Sequence, residues 1–152
     1  MKDTNAIKAF LEEVNYDFPI PVSDKTSLDD LAEKFSKLGT VCCAYDGDGI
    51  IAMVAGYTNN TVNDMGYISL VASARKARRS GLATKLIREF LQKAEEKHLT
   101  AVHVYTHKTN AGAIAMYKRL GFVPYVMPNE PRPDDVHFIY YLNQQNEGEG
   151  VL

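Results

Sequence analysis

One long amphipathic segment, from Leu82 to His98, constrains the fold of this chain more than any other feature. Charged and polar residues fill one face of the segment. Apolar residues recur at helical spacing on the other face, at Leu82, Leu86, Ile87, Phe90, Leu91 and Ala94. Apolar runs over 66–73 and 100–107 flank the segment and predict strands. A strong helix between two such strands indicates an α/β fold.

The rest of the chain adds two helices at the N-terminus and further strands on both sides of this segment. Helical spacing predicts helices over 4–14, over 28–38 after an N-cap at Ser27, and over 110–120 before a stop at Gly121. A hairpin is predicted over 41–58 around Gly47-Asp48-Gly49, and final strands over 122–127 and 136–142. We therefore expect an α/β fold with a single mixed sheet flanked by helices.

Length and composition favour a single domain, which we place at residues 1–142, with N-terminal helices over about 4–38. The chain has 152 residues, 45% hydrophobic and 24% charged, with a formal net charge of −2. This charge argues against general nucleic-acid binding, and no apolar stretch reaches the length of a membrane span. Because the N-terminus lacks the apolar core of a signal peptide, a cytoplasmic location is expected. Residues 143–152 are predicted to form a disordered tail.

Cysteines and histidines give weak signals for other chemistry. Cys42 and Cys43 are adjacent in an apolar run, so we predict buried thiols without a disulfide. His103 and His107 share a face of a predicted strand, but no cysteine or carboxylate cluster joins them. No metal site is therefore predicted at the histidines, which are His98, His103, His107 and His137.

A cationic loop joins the strand over 66–73 to the long helix, and it reads RKARRSGLA from Arg75 to Ala83. The first turn of a helix exposes backbone N–H groups without partners, and a phosphate there can accept several hydrogen bonds. Gly81 and Ala83 permit close approach, and two arginines add positive charge. The pattern predicts a phosphate cradle. The loop lacks the Gly-Lys-Ser/Thr ending of a P-loop, and it lacks the Gly-x-Gly-x-x-Gly pattern of a dinucleotide-binding loop.

Two motifs together resemble the GNAT superfamily of N-acetyltransferases. The pattern Arg78-x-x-Gly81-x-Ala83 is similar to the acyl-CoA pyrophosphate loop of that family. The stretch NAGAIAMYKRLGF, residues 110–122, is similar to the family pattern Asn-x-x-Ala-x-x-x-Tyr-x-x-x-Gly-Phe. It matches at every fixed position, which are Asn110, Ala113, Tyr117, Gly121 and Phe122. The resemblance covers about residues 41–142 and is clearest over the predicted acyl-CoA-binding core, 66–122.

The resemblance implies an acetyl-CoA-dependent N-acetyltransferase with a mostly antiparallel sheet and a splayed central strand pair. The pantetheine arm of acetyl-CoA would pair with the backbone at Val71, Ala72 and Ser73. The pyrophosphate would be held by the loop and the helix start, at Arg78, Arg79, Ser80, Gly81, Leu82, Ala83 and Thr84. Asn110 would contact the cofactor at the start of the next helix.

Tyr117 lies at the position of the family's general acid. A free tyrosine is protonated at pH 7, so it can donate a proton as the leaving sulfur gains charge. A core aromatic is the alternative interpretation, because Ala113, Tyr117 and Leu120 share one helical face.

The sequence departs from the family pattern at the turn and at the base. Ser73 and Arg75 stand where a Val-x-Pro ending is common, and Tyr67 and Tyr105 stand where many members carry a glutamate base. No base can therefore be named, and the two tyrosines are interpreted as cleft walls or as participants. A water chain or an acceptor amine of low pKa are further alternatives. The alternative function is a non-catalytic acyl-CoA-binding regulatory protein.

The acceptor stays open between a small-molecule amine and a peptide amine, and a homodimer is open as well. Acidic loop residues could attract a cationic amine, namely Asp64, Glu130, Asp134 and Asp135. The stretch MPNEPRPDD, residues 127–135, is a candidate cover for the substrate. His107 is close to Asn110 and is expected at the cleft or on the surface.

Overall fold

A computed structural model of the chain describes residues 3–60, 62–126 and 132–142. The helices are α1 (Thr4–Val14), α2 (Leu28–Leu38), α3 (Leu82–Glu96) and α4 (Ala111–Leu120). The strands are β1 (Thr40–Asp46), β2 (Gly49–Tyr57), β3 (Met65–Ser73), β4 (Ala101–His107), β5 (Val123–Pro124) and β6 (Asp135–Tyr141). Short 3₁₀ turns lie at Asn15–Asp17, Val22–Asp24 and Arg75–Ala77. The tail predicted over 143–152 lies outside the described residues.

The described strands form one open six-stranded sheet in the order β1-β2-β3-β4-β6-β5. Antiparallel pairs join β1 to β2, β4 to β6 and β5 to β6, whereas β3 and β4 pair in parallel. The parallel pair is joined through α3, because parallel neighbours need a crossover connection. The prediction of one mixed sheet flanked by helices is confirmed, and the splay of the central strand pair stays a prediction.

Contacts within the chain define two compact units, and the first contains the described residues of the ranges 1–57 and 69–90. Helix α1 begins after Asp3, whose carboxylate accepts the Asn5 and Ala6 amides, and α2 begins after Ser27, whose hydroxyl accepts the Asp30 amide. The β1–β2 hairpin turns at Gly47, where φ is 63° and glycine carries no steric penalty. The buried cluster of this unit includes Ile7, Phe10, Leu11, Val14, Ala32, Phe35, Ile50, Met53, Ala55, Leu70 and Ala74.

The second unit contains the described residues of the ranges 58–68 and 91–152. Helix α4 begins after Asn110, whose Oδ1 accepts the Ala113 amide at 3.3 Å. It ends at Gly121, which has a left-handed φ of 104° and donates its N–H to the carbonyls of Lys118 and Tyr117. Buried side chains of this unit include Val102, Val104, Tyr117, Leu120, Phe122, Phe138 and Ile139.

Apart from shifts of one residue at the ends of strands and helices, three features differ from the predictions. Helix α3 ends at Glu96 because His98 adopts a left-handed φ of 62°. The strand predicted over 122–127 is wrong in extent: β5 has two residues, and Pro124 has no N–H to donate to a ladder. Cys42 is buried as predicted, but Cys43 is only partly buried. Within the described residues, no helix has the length and apolar character needed to cross a membrane.

Candidate active site

The candidate site in the first unit is the loop that precedes α3. Arg79 and Gly81 both adopt left-handed backbone, with φ of 62° and 80°. The Ser80 hydroxyl donates to the Ala77 carbonyl, and the Leu82 N–H lies 3.4 Å from that hydroxyl oxygen. Local hydrogen bonds therefore fix the loop in a conformation that brings two left-handed residues directly before the helix.

The start of α3 has the features of an anion cradle. The first bond within the helix runs from the Lys85 amide to the Gly81 carbonyl, at 3.1 Å. The amides of Leu82, Ala83 and Thr84 therefore precede the helical hydrogen-bond ladder and carry the partial positive charge of the helix start. A Cβ placed on Gly81 would meet nothing within 4 Å. The backbone consequently has open space beside it, which is the condition for close approach of an anion.

The cations of this loop are not equivalent. The Arg78 guanidinium pairs with Asp17 at 2.7 Å, and Lys76 pairs with Asp46 at 2.8 Å. The hydrogen bond from Lys76 lowers the pKa of the Asp46 carboxyl below its ordinary value. Arg79 is exposed and forms no ion pair with the described residues. Of the two arginines predicted to add charge to the cradle, Arg78 is thus tied to Asp17, whereas Arg79 is not held by an ion pair within the described residues.

The predicted pantetheine strand lies at the end of β3. Val71, Ala72 and Ser73 are each partly buried, and Ala72 packs against the core of the first unit. The Ala74 amide donates to the Ile51 carbonyl at 2.8 Å. The strand end is therefore held in the sheet without the proline that is common in the family pattern.

A separate candidate site, in the second unit, centres on Tyr117 in α4. Its ring is 3% exposed and packs edge-on against Phe122 at 5.3 Å and near Phe138 at 6.0 Å. Burial, and then the nearby Tyr67, raise the pKa of Tyr117 well above its ordinary value. The phenol is therefore a protonated hydrogen-bond donor throughout the neutral pH range. The packing expected of a core aromatic is present, and the role as an acid stays a prediction.

Asn110 has a structural task that limits its predicted contact with the cofactor. Its Oδ1 accepts the Ala113 amide and caps α4. The amide Nδ2 is the group that a cofactor contact would use.

The strand register assembles a cluster that sequence reasoning missed. Tyr67 pairs with His103 across β3 and β4, and Tyr105 pairs with His137 across β4 and β6. Register partners lie on the same face of a sheet, and His103 and Tyr105 are two residues apart on one strand and so also share a face. The side chains of both pairs therefore lie on one face of the sheet. Tyr125 joins them, because its amide donates to the His137 carbonyl at 2.9 Å and its ring lies 5.2 Å from the His137 ring. We call these five residues the histidine–tyrosine cluster.

The contacts within this cluster are close and directional. His103 Nδ1 lies 2.9 Å from His137 Nε2, a hydrogen bond between two imidazoles. The Tyr105 and His137 rings stack at 4.0 Å, and the Tyr67 and His103 ring centroids are 5.0 Å apart. Arg132 lies over the Tyr105 ring at 3.9 Å. The spacing of His103 and Tyr105, two residues apart in a predicted strand, was the signal in the sequence for a shared face. The register of the strand that carries His137 could not be read from the sequence.

The remaining predicted candidates lie elsewhere or serve the loops. His107 Nδ1 pairs with the Thr109 hydroxyl at 2.8 Å in the turn before α4. The Asp64 carbonyl accepts the Thr100 amide at 2.8 Å, and Asp134 and Asp135 pair with Lys108 and Arg132. Glu130 and residues 127–131 of the predicted substrate cover lie outside the described residues. Within the described ranges, no group of three or more His, Cys, Asp or Glu side chains is placed to hold a metal ion.

Comparison with known families gives a match over most of the chain. The model of the acetyltransferase (GNAT) family matches residues 7–122. That range contains both the loop before α3 and the helix that carries Tyr117.

Individual proteins support the same assignment. The chain is 31% identical over 82 residues to GCN5-related N-acetyltransferase 6, chloroplastic, of Arabidopsis thaliana. The matched segment covers 53% of this chain and 28% of that protein. It is 35% identical over 78 residues to human N-alpha-acetyltransferase 30, and the matched segment covers 51% of this chain and 19% of that protein. The matched segments thus span less than a third of these relatives.

A solved structure of an aminoglycoside 6'-N-acetyltransferase complexed with coenzyme A has a similar fold. The TM-score is 0.71 at 10% sequence identity, and the match covers 91% of this chain and 90% of that chain.

Proposed function

Because the chain belongs to the acetyltransferase (GNAT) family, we propose that it transfers an acetyl group from acetyl-CoA directly to a primary amine. The family and the enzyme class predicted from the sequence, a GNAT-type acyltransferase, are confirmed. The cosubstrate, the acceptor and the residue roles belong to the proposal.

The cradle before α3 carries the proposal for acetyl-CoA. Two left-handed residues, Arg79 and Gly81, lead into helix amides that can donate to phosphate oxygens, and the space beside Gly81 is open. The guanidinium of Arg79 adds charge at the same loop. Coenzyme A in a neighbour of similar fold is consistent with this use of the loop.

The transfer step needs an acid, a base and a positioned amine. The amine nitrogen attacks the thioester carbon, the C–N bond forms, and the C–S bond breaks to release a thiolate. Tyr117 donates its phenolic proton to that sulfur, since a phenol is protonated at neutral pH. The amine proton leaves to a base or to solvent, and solvent returns a proton to the Tyr117 phenolate, so the net products are the acetylated amine and coenzyme A.

The acceptor is proposed only as a primary amine. The human relative is named as an N-alpha-acetyltransferase, and the structural neighbour acts on an aminoglycoside by its name. Both names describe acetylation at nitrogen, and they differ in the size and chemistry of the acceptor.

Calorimetric titration of acetyl-CoA and coenzyme A tests the cofactor site. We expect micromolar binding to the wild type and loss of binding in Gly81→Glu, because a carboxylate would stand where the pyrophosphate binds. Gly47→Glu is the matched control, since Gly47 also has a positive φ of 63° and open space around its Cβ position. Equal binding in both variants would remove the loop from the proposed site, and no binding to folded wild type would refute acetyl-CoA as the cosubstrate.

Release of coenzyme A thiol in the presence of an amine library tests the transfer. We expect Tyr117→Phe to lower kcat by roughly 10²–10⁴-fold, the usual contribution of a general acid. The phenylalanine ring keeps the packing against Phe122 and Phe138. Wild type that binds acetyl-CoA but transfers to no amine would favour the non-catalytic binding protein.

A further inference from the structure

We propose that the Arg78 side chain is a structural bridge that fixes the loop before α3, and that Asp17 is the residue that positions this bridge. Arg79 is then the arginine that contacts the cofactor phosphates. The inference rests on the proposed binding of acetyl-CoA, and it assigns different tasks to two neighbouring arginines. Asp17 and Arg78 act on the cofactor through the conformation of the loop, without touching the phosphates.

The bridge consists of the Arg78 guanidinium and two acceptors within the first compact unit. Nη2 of Arg78 donates to Oδ2 of Asp17 at 2.7 Å, and Nε donates to the Ser73 carbonyl at 3.4 Å. Asp17 lies in the 3₁₀ turn directly after α1, and Ser73 is the last residue of β3. A guanidinium holds its donors in a rigid planar fork, so one side chain connects the turn to the strand end from which the loop leaves.

The turn that carries Asp17 is itself fixed by a buried asparagine. Asn15 is 3% exposed, its Nδ2 donates to the Ser23 hydroxyl at 2.8 Å, and its Oδ1 accepts the Ser23 amide at 2.9 Å. These bonds tie the two 3₁₀ turns between α1 and α2 to each other. Asp17 therefore offers Arg78 a carboxylate on a backbone that is held in place.

The backbone next to the bridge needs support from outside itself. Arg79 adopts a left-handed φ of 62°, which is strained for a residue with a Cβ. Strain of this kind persists only where the surrounding contacts determine the conformation. The bridge holds the residue before Arg79, and on the other side the Ser80 hydroxyl donates to the Ala77 carbonyl. Loss of the bridge should therefore let this part of the loop leave the left-handed conformation.

The two arginines differ in what a phosphate contact would break. If the Arg78 guanidinium turned to a phosphate, it would leave the Asp17 carboxylate, whose side chain is only 28% exposed, without its cation. A partly buried charge that loses its partner costs free energy. Arg79 is exposed and forms no ion pair with any residue that the structure describes, so its guanidinium can bind a phosphate without breaking one.

The bridge affects binding because an ordered loop binds a ligand more tightly than a loop that the ligand must order. When only a fraction of the molecules has the binding conformation, the apparent affinity falls by that fraction. Since neither Asp17 nor Arg78 touches the reacting atoms in this proposal, the bridge should act on the KM for acetyl-CoA and leave kcat unchanged. A merely destabilising substitution would instead reduce the amount of folded enzyme and therefore the measured kcat.

The experiment is calorimetric titration of acetyl-CoA against wild type, Asp17→Asn, Arg78→Gln and the double variant. Each single substitution removes one charge of the ion pair and keeps a polar side chain. Arg79→Asn tests the phosphate contact, because asparagine removes the guanidinium and tolerates left-handed backbone. Asp29→Asn is the matched control, since it removes an ion pair of similar length, 2.6 Å to Lys8, that does not include the loop.

Both single variants of the bridge should bind acetyl-CoA roughly 2–5-fold more weakly than wild type, the range expected for a partly exposed ion pair. The double variant should bind no more weakly than either single variant, because the bridge is already lost. Arg79→Asn should weaken binding by about 10-fold or more, and added salt should reduce that difference. Asp29→Asn should bind as wild type does. In the thiol-release assay, Asp17→Asn should raise the KM for acetyl-CoA by the same factor as the Kd and leave kcat unchanged.

The sign of the Asp17→Asn effect decides between a bridge and a phosphate ligand. If Arg78 contacts the phosphates, Asp17 competes with them for its guanidinium, and removal of that competitor strengthens binding. Binding by Asp17→Asn at or above wild-type affinity therefore refutes the bridge. A double variant whose loss equals the product of the two single losses refutes it as well. Wild-type affinity in Arg79→Asn refutes the phosphate contact of Arg79.

A measurement without cofactor separates the bridge from the proposed function. The Lys85 amide donates to the Gly81 carbonyl at 3.1 Å in the first bond of α3, so its hydrogen exchange reports on the order of the loop end. We expect faster exchange in Asp17→Asn than in wild type and no change in Asp29→Asn, and equal exchange in both variants refutes the bridge. Wild type that binds no acetyl-CoA refutes the proposed cosubstrate and the role of Arg79, and the exchange result then decides the bridge alone.

Discussion

Two glycines at the two ends of the helix that carries Tyr117 should respond to alanine with opposite signs. Gly121 ends α4 at a φ of 104°, where an L-residue pays about 1–2 kcal/mol of backbone strain. A Cβ there would also lie 3.2 Å from Cε2 of Tyr140, so the ring would have to shift by a few tenths of an ångström. Gly112 lies in the first turn of α4 with no positive φ and nothing within 4 Å of its Cβ position.

The expected magnitudes follow from this geometry. Gly121→Ala should lower the free energy of unfolding by about 1–2 kcal/mol, and Gly112→Ala should raise it by about 0.5–1 kcal/mol because alanine loses less backbone entropy in a helix. For a chain of this length, roughly 2–4 °C of melting temperature corresponds to each kcal/mol. Gly121→Ala should therefore melt roughly 2–8 °C below the wild type.

Urea denaturation followed by far-ultraviolet circular dichroism measures both changes on the same scale. Each variant adds one methyl group at an end of α4. The effect of added apolar surface therefore cancels when the unfolding free energies of the two variants are compared. A Gly121→Ala variant as stable as Gly112→Ala would refute the assignment of Gly121 as the left-handed end of α4. The anchoring of Tyr117 through that helix end would fall with it.

The remaining predictions concern burial and capping. Because the pKa of Tyr117 is raised in the folded state, the stability gained by keeping its phenol protonated is full below pH about 10 and is lost as the pH rises further. Above that pH, the free energy of unfolding should fall more steeply in wild type than in Tyr117→Phe, by up to about 1.4 kcal/mol per pH unit. Equal slopes for the two proteins would contradict this prediction. Phe35→Ala should lower the free energy of unfolding by about 3–5 kcal/mol, since the Phe35 side chain is fully buried, and a loss under 1 kcal/mol by urea denaturation would contradict that packing. Asn110→Ala should cost about 1 kcal/mol while Asn110→Asp costs less, because aspartate keeps an oxygen for the Ala113 amide; thermal unfolding distinguishes the two.

Local signals predicted the parts of the fold that are set by neighbouring residues. Ser27 caps α2, Gly47 turns the hairpin, and Asn110 and Gly121 bound α4, as their residue types indicate. Each of these positions depends on a hydrogen bond or a φ angle within about four residues. Such features can be read from a short window of sequence.

Contacts between distant residues were not predictable in the same way. Arg78 pairs with Asp17, and His103 pairs with His137, over separations of 61 and 34 residues. The first depends on where the turn after α1 lies, and the second on the register between β4 and β6. A shift of one residue in that register would send His137 to the opposite face of the sheet and break the pair.

The family motif around Tyr117 has a structural explanation beside any contact with a ligand. Asn110 satisfies an amide at the start of α4, and Gly121 supplies the left-handed turn at its end. The amides of Gly121 and Phe122 both donate to the Tyr117 carbonyl, and the Phe122 ring packs against the Tyr117 ring. The motif thus fixes the backbone and the ring plane of Tyr117 from the side of the helix end. In the proposed transfer, an acid held in this way would be protonated and in position before the thiolate forms, without side-chain rearrangement.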